Sequence, residues 1–123
     1  SEFVRARVER CWGRESTVIH PPVDVEAIGS VKAWRDQLSD PMEADTLANL
    51  GEGYVLGASR FVPYKRLDRV IEVAGALGLP AVIAGRGADE ARLRTIAKEA
   101  AVPVTFVISP SDQLLYAMYQ AAG

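Results

Sequence analysis

The sequence lacks the residues that many metal and redox sites require. It contains one cysteine and one histidine in 123 residues, which excludes a disulfide framework, a cysteine-based zinc cage and any site built on paired histidines. No apolar run approaches the roughly 20 residues of a membrane span. The first residues lack the layout of a signal peptide and begin without Met, so we expect part of a longer chain.

The charge balance excludes a further class of function. Fourteen Lys and Arg face 16 Asp and Glu, giving a net charge of −2, so the chain has no excess of positive charge with which to bind nucleic acid. Hydrophobic residues make up 49% and charged residues 24%, which is typical of one globular domain.

A regular pattern begins at residue 53. Short apolar runs at 54–59, 81–84 and 104–108 predict buried strands, and residues 67–77, 89–100 and 111–122 carry apolar residues at helical spacing. Gly78 and Pro80 predict the end of the first of these helices. Alternating strands and helices predict an α/β fold: a Rossmann-like, three-layer parallel sheet over residues 53–123.

The first 52 residues are less regular. In residues 1–28 we expect a helix over 3–12, with Cys11 packed on its apolar stripe, and a strand at 17–20 ending in a structural His20. Residues 29–52 combine glycine, acidic residues and weak periodicity, which predicts a flexible linker or insertion with a turn or two of helix around 31–37 and 42–49.

The loop after the first strand carries the strongest chemical signal. Arg60, Lys65 and Arg66 lie between that strand and a helix N-terminus, and ligands of parallel sheets bind at the carboxyl ends of the strands. The cluster predicts a phosphate or diphosphate site, the alternative being a solvated loop.

The loops after the second and third predicted strands each allow two interpretations. Gly85 and Gly87 do not form a dinucleotide fingerprint, since its third glycine would fall on Glu90; they allow either a tight turn or close approach to a ligand. After the third strand, the backbone at Ile108 and Ser109 can meet a nucleotide base, or Ser111 serves simply as a helix N-cap.

Taken in order, these motifs resemble glycosyltransferase family 4. The likeness rests on residues 1–14 and 18–24 (VIHPPVD), on LGASRFVPYKRLD at 56–68, on AVIAGRG at 81–87, and on VTF at 104–106 with SDQ at 111–113 and Leu115. It covers nearly the whole chain except 29–52. It implies the GT-B fold, in which one Rossmann-like domain binds a nucleotide-sugar donor and the other binds the acceptor.

The resemblance also implies roles for residues. Arg60 and Lys65 would bind the donor diphosphate and, without a cofactor or a metal ion, stabilise the charge on the leaving nucleoside diphosphate; loss of either would lower turnover by about 10²–10³-fold. Gly85, Gly87, Ile108 and Ser109 would lie against the donor. The parent enzyme would be a cytoplasmic retaining hexosyltransferase, peripheral to the membrane, acting on a glycan or lipid-linked acceptor.

Two departures from the family pattern limit this reading. Ile108 stands where the family usually has glycine, and no Glu-x7-Glu motif follows the last predicted helix. We therefore expect the first half of a donor domain that is inactive alone. The alternatives are a non-catalytic nucleotide- or phosphate-binding module and a fragment that forms homodimers through the unpaired edge of its first strand.

Overall fold

The protein has an α/β fold built on a three-stranded parallel sheet. A computed structural model describes all 123 residues. The strands β1 (Val55–Ala58), β2 (Ala81–Gly85) and β3 (Val104–Ile108) lie in the order β1-β2-β3. Val55 pairs with Ala81, and Ala81 with Val104, in parallel register. The predicted α/β class is confirmed.

Helices follow each strand as the periodicity predicted. Helix α4 spans Leu67–Leu77, α5 spans Glu90–Lys98 and α6 spans Asp112–Ala121. Gly78 ends α4 in the left-handed conformation at φ 67°, as its position after the apolar stripe predicted. The stripe of α4 is shorter than expected, because Leu77 is 62% exposed.

The two faces of the sheet are covered by different helices. On one face, Ile83 packs with Leu67 and Ile71 of α4 and Leu93 of α5. On the other face, a second cluster joins the sheet to α6; its buried members include Tyr54, Val82, Ala84, Val107, Leu114 and Met118. Four consecutive residues of β2 are buried, which explains why the central strand reads as an unbroken apolar run.

Residues 31–50 contain two helices, at the positions where helical turns were expected. Helix α3 (Pro41–Leu50) begins with Asp40, whose carboxylate accepts a hydrogen bond from Met42 N–H at 2.9 Å, and it buries Leu47 in the α6 cluster. A short 3₁₀ helix (Trp34–Gln37) also lies on α6. Both helices lie where a turn or two of helix was expected, but α3 is longer than predicted, and its periodicity is weak because Leu47 is its one buried residue.

Residues 1–30 form a separate unit. Helix α1 (Glu2–Trp12) and helix α2 (Val25–Ser30) are present, and α1 contains no buried residue. Residues 17–20 form no strand, since no neighbouring strand in this unit offers hydrogen bonds. Cys11 is exposed rather than packed, because this short unit has too few apolar side chains to cover the stripe.

The helices are short throughout the chain. None is both long enough and apolar enough to cross a lipid bilayer.

Candidate functional site

The loops that follow β1 and β2 are joined by backbone hydrogen bonds. Ser59 N–H donates to the Ala84 carbonyl at 3.0 Å, Phe61 N–H to the Arg86 carbonyl at 2.8 Å, and Asp89 N–H to the Phe61 carbonyl at 3.0 Å. Phe61 is completely buried below this junction. The two loops therefore form one rigid surface at the carboxyl end of the sheet.

Gly85 and Gly87 make this junction sterically feasible. Both have positive φ, 134° at Gly85 and 155° at Gly87. A Cβ at Gly85 would overlap the carbonyl oxygen of Ser59, and one at Gly87 would overlap the carbonyl oxygen of Phe61. The close approach that requires glycine is therefore an approach to the neighbouring loop.

A cleft of about 500 Å³ opens where the three strands end. Arg60 follows β1, Arg86 follows β2 and Ser109 follows β3, and all three residues line the cleft with Gly85. Pro110, Leu115 and Tyr119 form an apolar wall on the α6 side. The lining thus combines two arginines with an apolar wall, an arrangement suited to an anion attached to an aromatic ring.

Arg60 is oriented by a tyrosine in its own loop. Its Nη2 donates to the Tyr64 phenol oxygen at 3.2 Å. Lys65 contacts the same ring, with its Nζ 5.4 Å from the centroid, a cation–π distance. Tyr64 thus connects the two cations that the sequence singled out.

Ser109 turns the chain from β3 into α6. It adopts the left-handed conformation at φ 51°, which is uncommon outside glycine. Its N–H donates to the Gly85 carbonyl at 3.1 Å, so this turn is attached to the loop after β2. Backbone hydrogen bonds therefore connect all three strand-end loops.

Ser111 caps α6, as one of the two readings predicted. Its Oγ accepts from Leu114 N–H at 3.1 Å and donates to Glu43 Oε2 at 2.6 Å, while its N–H donates to Glu43 Oε1 at 2.9 Å. Glu43 of α3 thereby fixes the start of the helix whose side chains form the apolar wall.

The cleft includes some of the predicted ligand residues and not others. Arg60, Gly85 and Ser109 line it, whereas Lys65, Gly87 and Ile108 do not. Ile108 is 43% exposed and lines a separate cleft beside α3. The side chains of a strand alternate between faces, so Ile108 points away from the face on which Val107 packs against α6.

Two carboxylates beside the loops are neutralised by arginine. Asp68 accepts from Arg66 Nη2 at 3.0 Å, and Asp89 accepts from Arg92 Nη2 at 2.7 Å. These hydrogen bonds lower the pKa of both carboxyl groups below their ordinary value of 3.8. Arg92 also lies 3.9 Å from Asp68 and so links α5 to α4.

These ion pairs change the roles of two residues. Arg66 was grouped with the predicted phosphate cluster, but its guanidinium is bound to Asp68. Asp89 stands at the N-cap position of α5, but its side chain makes no cap hydrogen bond because Arg92 holds both of its oxygens.

Arg86 and Tyr119 were missed by sequence reasoning. The sequence did contain a signal for Arg86, because Arg86 follows β2 as Arg60 follows β1. The carboxyl ends of parallel strands lie at the same edge of the sheet, so the two arginines could be expected near each other. Tyr119 gave no comparable signal, because a tyrosine on an amphipathic helix is ordinary.

The other candidate sites are weaker. A cleft of about 530 Å³ in residues 1–30 combines Arg5 with Glu9 and Glu15, so its charges do not select an anion. No group of three or more His, Cys, Asp or Glu is placed to hold a metal ion.

Comparison with protein-family models, curated proteins and solved structures finds no match. The fold and the cleft therefore define the class on their own: a parallel α/β protein with a cationic cleft at the carboxyl ends of its strands.

Proposed function

We propose that residues 53–123 bind the nucleoside diphosphate part of a nucleotide-sugar donor, as part of a glycosyltransferase similar to family 4. The observation that carries the proposal is the convergence of Arg60, Gly85 and Ser109 on one cleft at the ends of three parallel strands. These residues come from three different loops, all of which the resemblance assigned to the donor.

The chemistry of the cleft is consistent with this ligand. A guanidinium donates two parallel hydrogen bonds to phosphate oxygens, and charge-assisted bonds of this kind are about twice as strong as neutral ones. Tyr119, which is 55% exposed, presents a ring beside Pro110 and Leu115. An aromatic base can pack on this wall while the phosphates face Arg60.

In the complete enzyme, Arg60 would neutralise the negative charge that develops on the departing nucleoside diphosphate. Lys65, which the resemblance also assigns to the diphosphate, lies outside the cleft with its Nζ 5.4 Å from the centroid of the Tyr64 ring, and it would add positive charge beside the site. The acceptor and the donor-sugar contacts would come from outside this chain, so we expect the chain alone to bind the donor weakly and to transfer no sugar.

Titration of ¹⁵N-labelled protein with uridine, guanosine and adenosine diphosphates tests the proposal. We expect the amide signals of Arg60, Gly85 and Ser109 to shift, with a millimolar dissociation constant. Arg60→Ala should weaken binding about tenfold, the loss of one charge-assisted contact. Arg69→Ala is the matched control, because Arg69 pairs with Glu72 on the surface of α4, outside the cleft.

Two results would overturn the proposal. One is no shift at millimolar nucleotide with any of the three bases. The other is binding that Arg60→Ala and Arg69→Ala affect equally, since this would indicate non-specific attraction by surface charge.

A second candidate function is homodimerisation through β1. This strand pairs with β2 alone, although Gly123 N–H donates to the Tyr54 carbonyl at 3.1 Å beside it. A free strand edge is a template for pairing with another chain. Light scattering after size exclusion tests this function: a mass of 13.3 kDa, that of one chain, at all concentrations would contradict it.

A further inference from the structure

Arg86 is a second guanidinium in the cleft and comes from a different strand than Arg60. Both residues line the same cavity. The hydrogen bond from Phe61 N–H to the Arg86 carbonyl, 2.8 Å long, attaches the residue after Arg60 to Arg86 itself. This backbone hydrogen bond therefore constrains the distance between the Cα atoms of Arg60 and Arg86.

Arg86 differs from the other arginines of residues 53–123 in having no partner. Arg66 binds Asp68, Arg92 binds Asp89, and the exposed pairs are Arg69 with Glu72 and Arg94 with Glu90. Arg60 has the Tyr64 phenol. The Arg86 guanidinium makes no hydrogen bond or ion pair, so all of its donors are available to a ligand.

Lys65 is placed differently. It lies at the end of the 3₁₀ helix Pro63–Lys65, with its ammonium group near the Tyr64 ring, and it does not line the cleft. The second cation within the cleft is therefore Arg86 rather than the lysine of the loop after β1.

We infer that Arg86 binds the second phosphate of the ligand and gives the cleft its preference for a diphosphate over a monophosphate. This inference rests on the proposed function and adds a specificity-determining residue to it. Arg60 holds one phosphate and Arg86 the next. A monophosphate lacks this second phosphate group, so Arg86 would add less to its binding than to the binding of a diphosphate.

The matched ligands uridine diphosphate and uridine monophosphate test this role. The measurement is the ratio of their dissociation constants in wild type, Arg86→Ala, Arg86→Lys, Arg60→Ala and Lys65→Ala. Arg69→Ala is again the control for a lost surface arginine, and thermal melting checks that each variant is folded.

We expect wild type to prefer the diphosphate by about tenfold, the value of one charge-assisted contact. Arg86→Ala should reduce this ratio to about two, mainly by weakening the diphosphate, and Arg69→Ala should preserve it. Arg86→Lys should restore part of the preference, because lysine keeps the charge and loses the planar fork.

The outcomes separate this inference from the proposed function. If neither nucleotide binds wild type, both fail. If the diphosphate binds through Arg60 but Arg86→Ala retains the full preference, the inference alone fails. It also fails if Lys65→Ala removes the preference and Arg86→Ala does not.

Discussion

Arg60 and Tyr64 are joined by a hydrogen bond from Nη2 to the phenol oxygen, 3.2 Å long. Tyr64 is 68% exposed, so burial does not explain its position in the loop. Without this bond the long Arg60 side chain would sample many rotamers, and a ligand would lose binding free energy by ordering it. The bond restricts the side chain in advance and so reduces this entropic cost. Tyr64 therefore acts on the cleft through Arg60.

Tyr64→Phe tests this positioning role. The ring remains for Lys65, and only the acceptor for Arg60 is lost. We expect uridine diphosphate binding to weaken about two- to fivefold, corresponding to about 0.5–1 kcal/mol for one exposed hydrogen bond. Calorimetric titration measures it, and the melting temperature should stay near that of wild type. Unchanged affinity would show that the bond does not orient Arg60 for binding.

Alanine at Gly85 or Gly87 should destabilise the fold strongly. Each substitution combines a positive φ with an overlap on the backbone of residues 59–61, and we expect a loss of about 2–4 kcal/mol in the free energy of unfolding. Urea denaturation measures it.

Gly75→Ala is the matched control for the glycine substitutions. Gly75 lies inside α4 with open space where a Cβ would be. We expect a gain of about 0.5–1 kcal/mol there, because glycine weakens a helix interior relative to alanine. Equal effects at positions 75 and 85 would contradict the steric account of the loop junction.

Ser109→Gly should stabilise the protein slightly. The left-handed conformation at φ 51° costs a non-glycine residue about 1–2 kcal/mol, and the added flexibility of the unfolded chain offsets part of this. We expect a net gain of about 0.5–1 kcal/mol in urea denaturation. Ser109→Val should lower stability instead, and a valine variant as stable as wild type would rule out this strain.

The free energy of unfolding should fall in acid, because Asp68 and Asp89 become protonated and lose their ion pairs. The pKa of each carboxyl group is lowered in the folded state, mainly by the hydrogen bond from Arg66 to Asp68 and from Arg92 to Asp89. A depressed folded pKa gives stability that is present above the unfolded value of 3.8 and is lost as the pH falls through the folded value.

The variant Asp68→Asn isolates this acid effect. Its free energy of unfolding should be lower at pH 7 and should depend less on pH between about 5 and 2 than that of wild type. Asp45→Asn is the control, because Asp45 is exposed on α3 and makes no ion pair. Parallel pH profiles for wild type and Asp68→Asn would contradict the prediction.

Much of residues 53–123 could be predicted from the sequence. Helix α4 begins and ends as predicted, because Leu67, Ile71 and Ala74 mark a buried face and Gly78 with Pro80 ends it. Strand β2 is buried on both faces, so its sequence is a continuous apolar run that predicts a buried strand. Local sequence is informative here because burial and local propensity favour the same structure.

Other features depend on contacts that no local pattern records. Helix α3 contributes Leu47 to the core and Glu43 to the start of α6, both across long sequence separations. The hydrogen bond that attaches Asp89 to Phe61 also joins residues that are far apart in the sequence. The signal at Asp40 and Pro41, an N-cap followed by proline at the first helical position, was the local evidence available for α3.

The hydrogen-bonded junction of the strand-end loops has a consequence for recognition. Since Ser59, Phe61 and Asp89 lock the loops after β1 and β2 together, the anchoring points of the cleft's two arginines are set before any anion arrives. An anion that bridges the two arginines, as proposed, would have to match this spacing, so the distance between its negative charges would determine which anions bind.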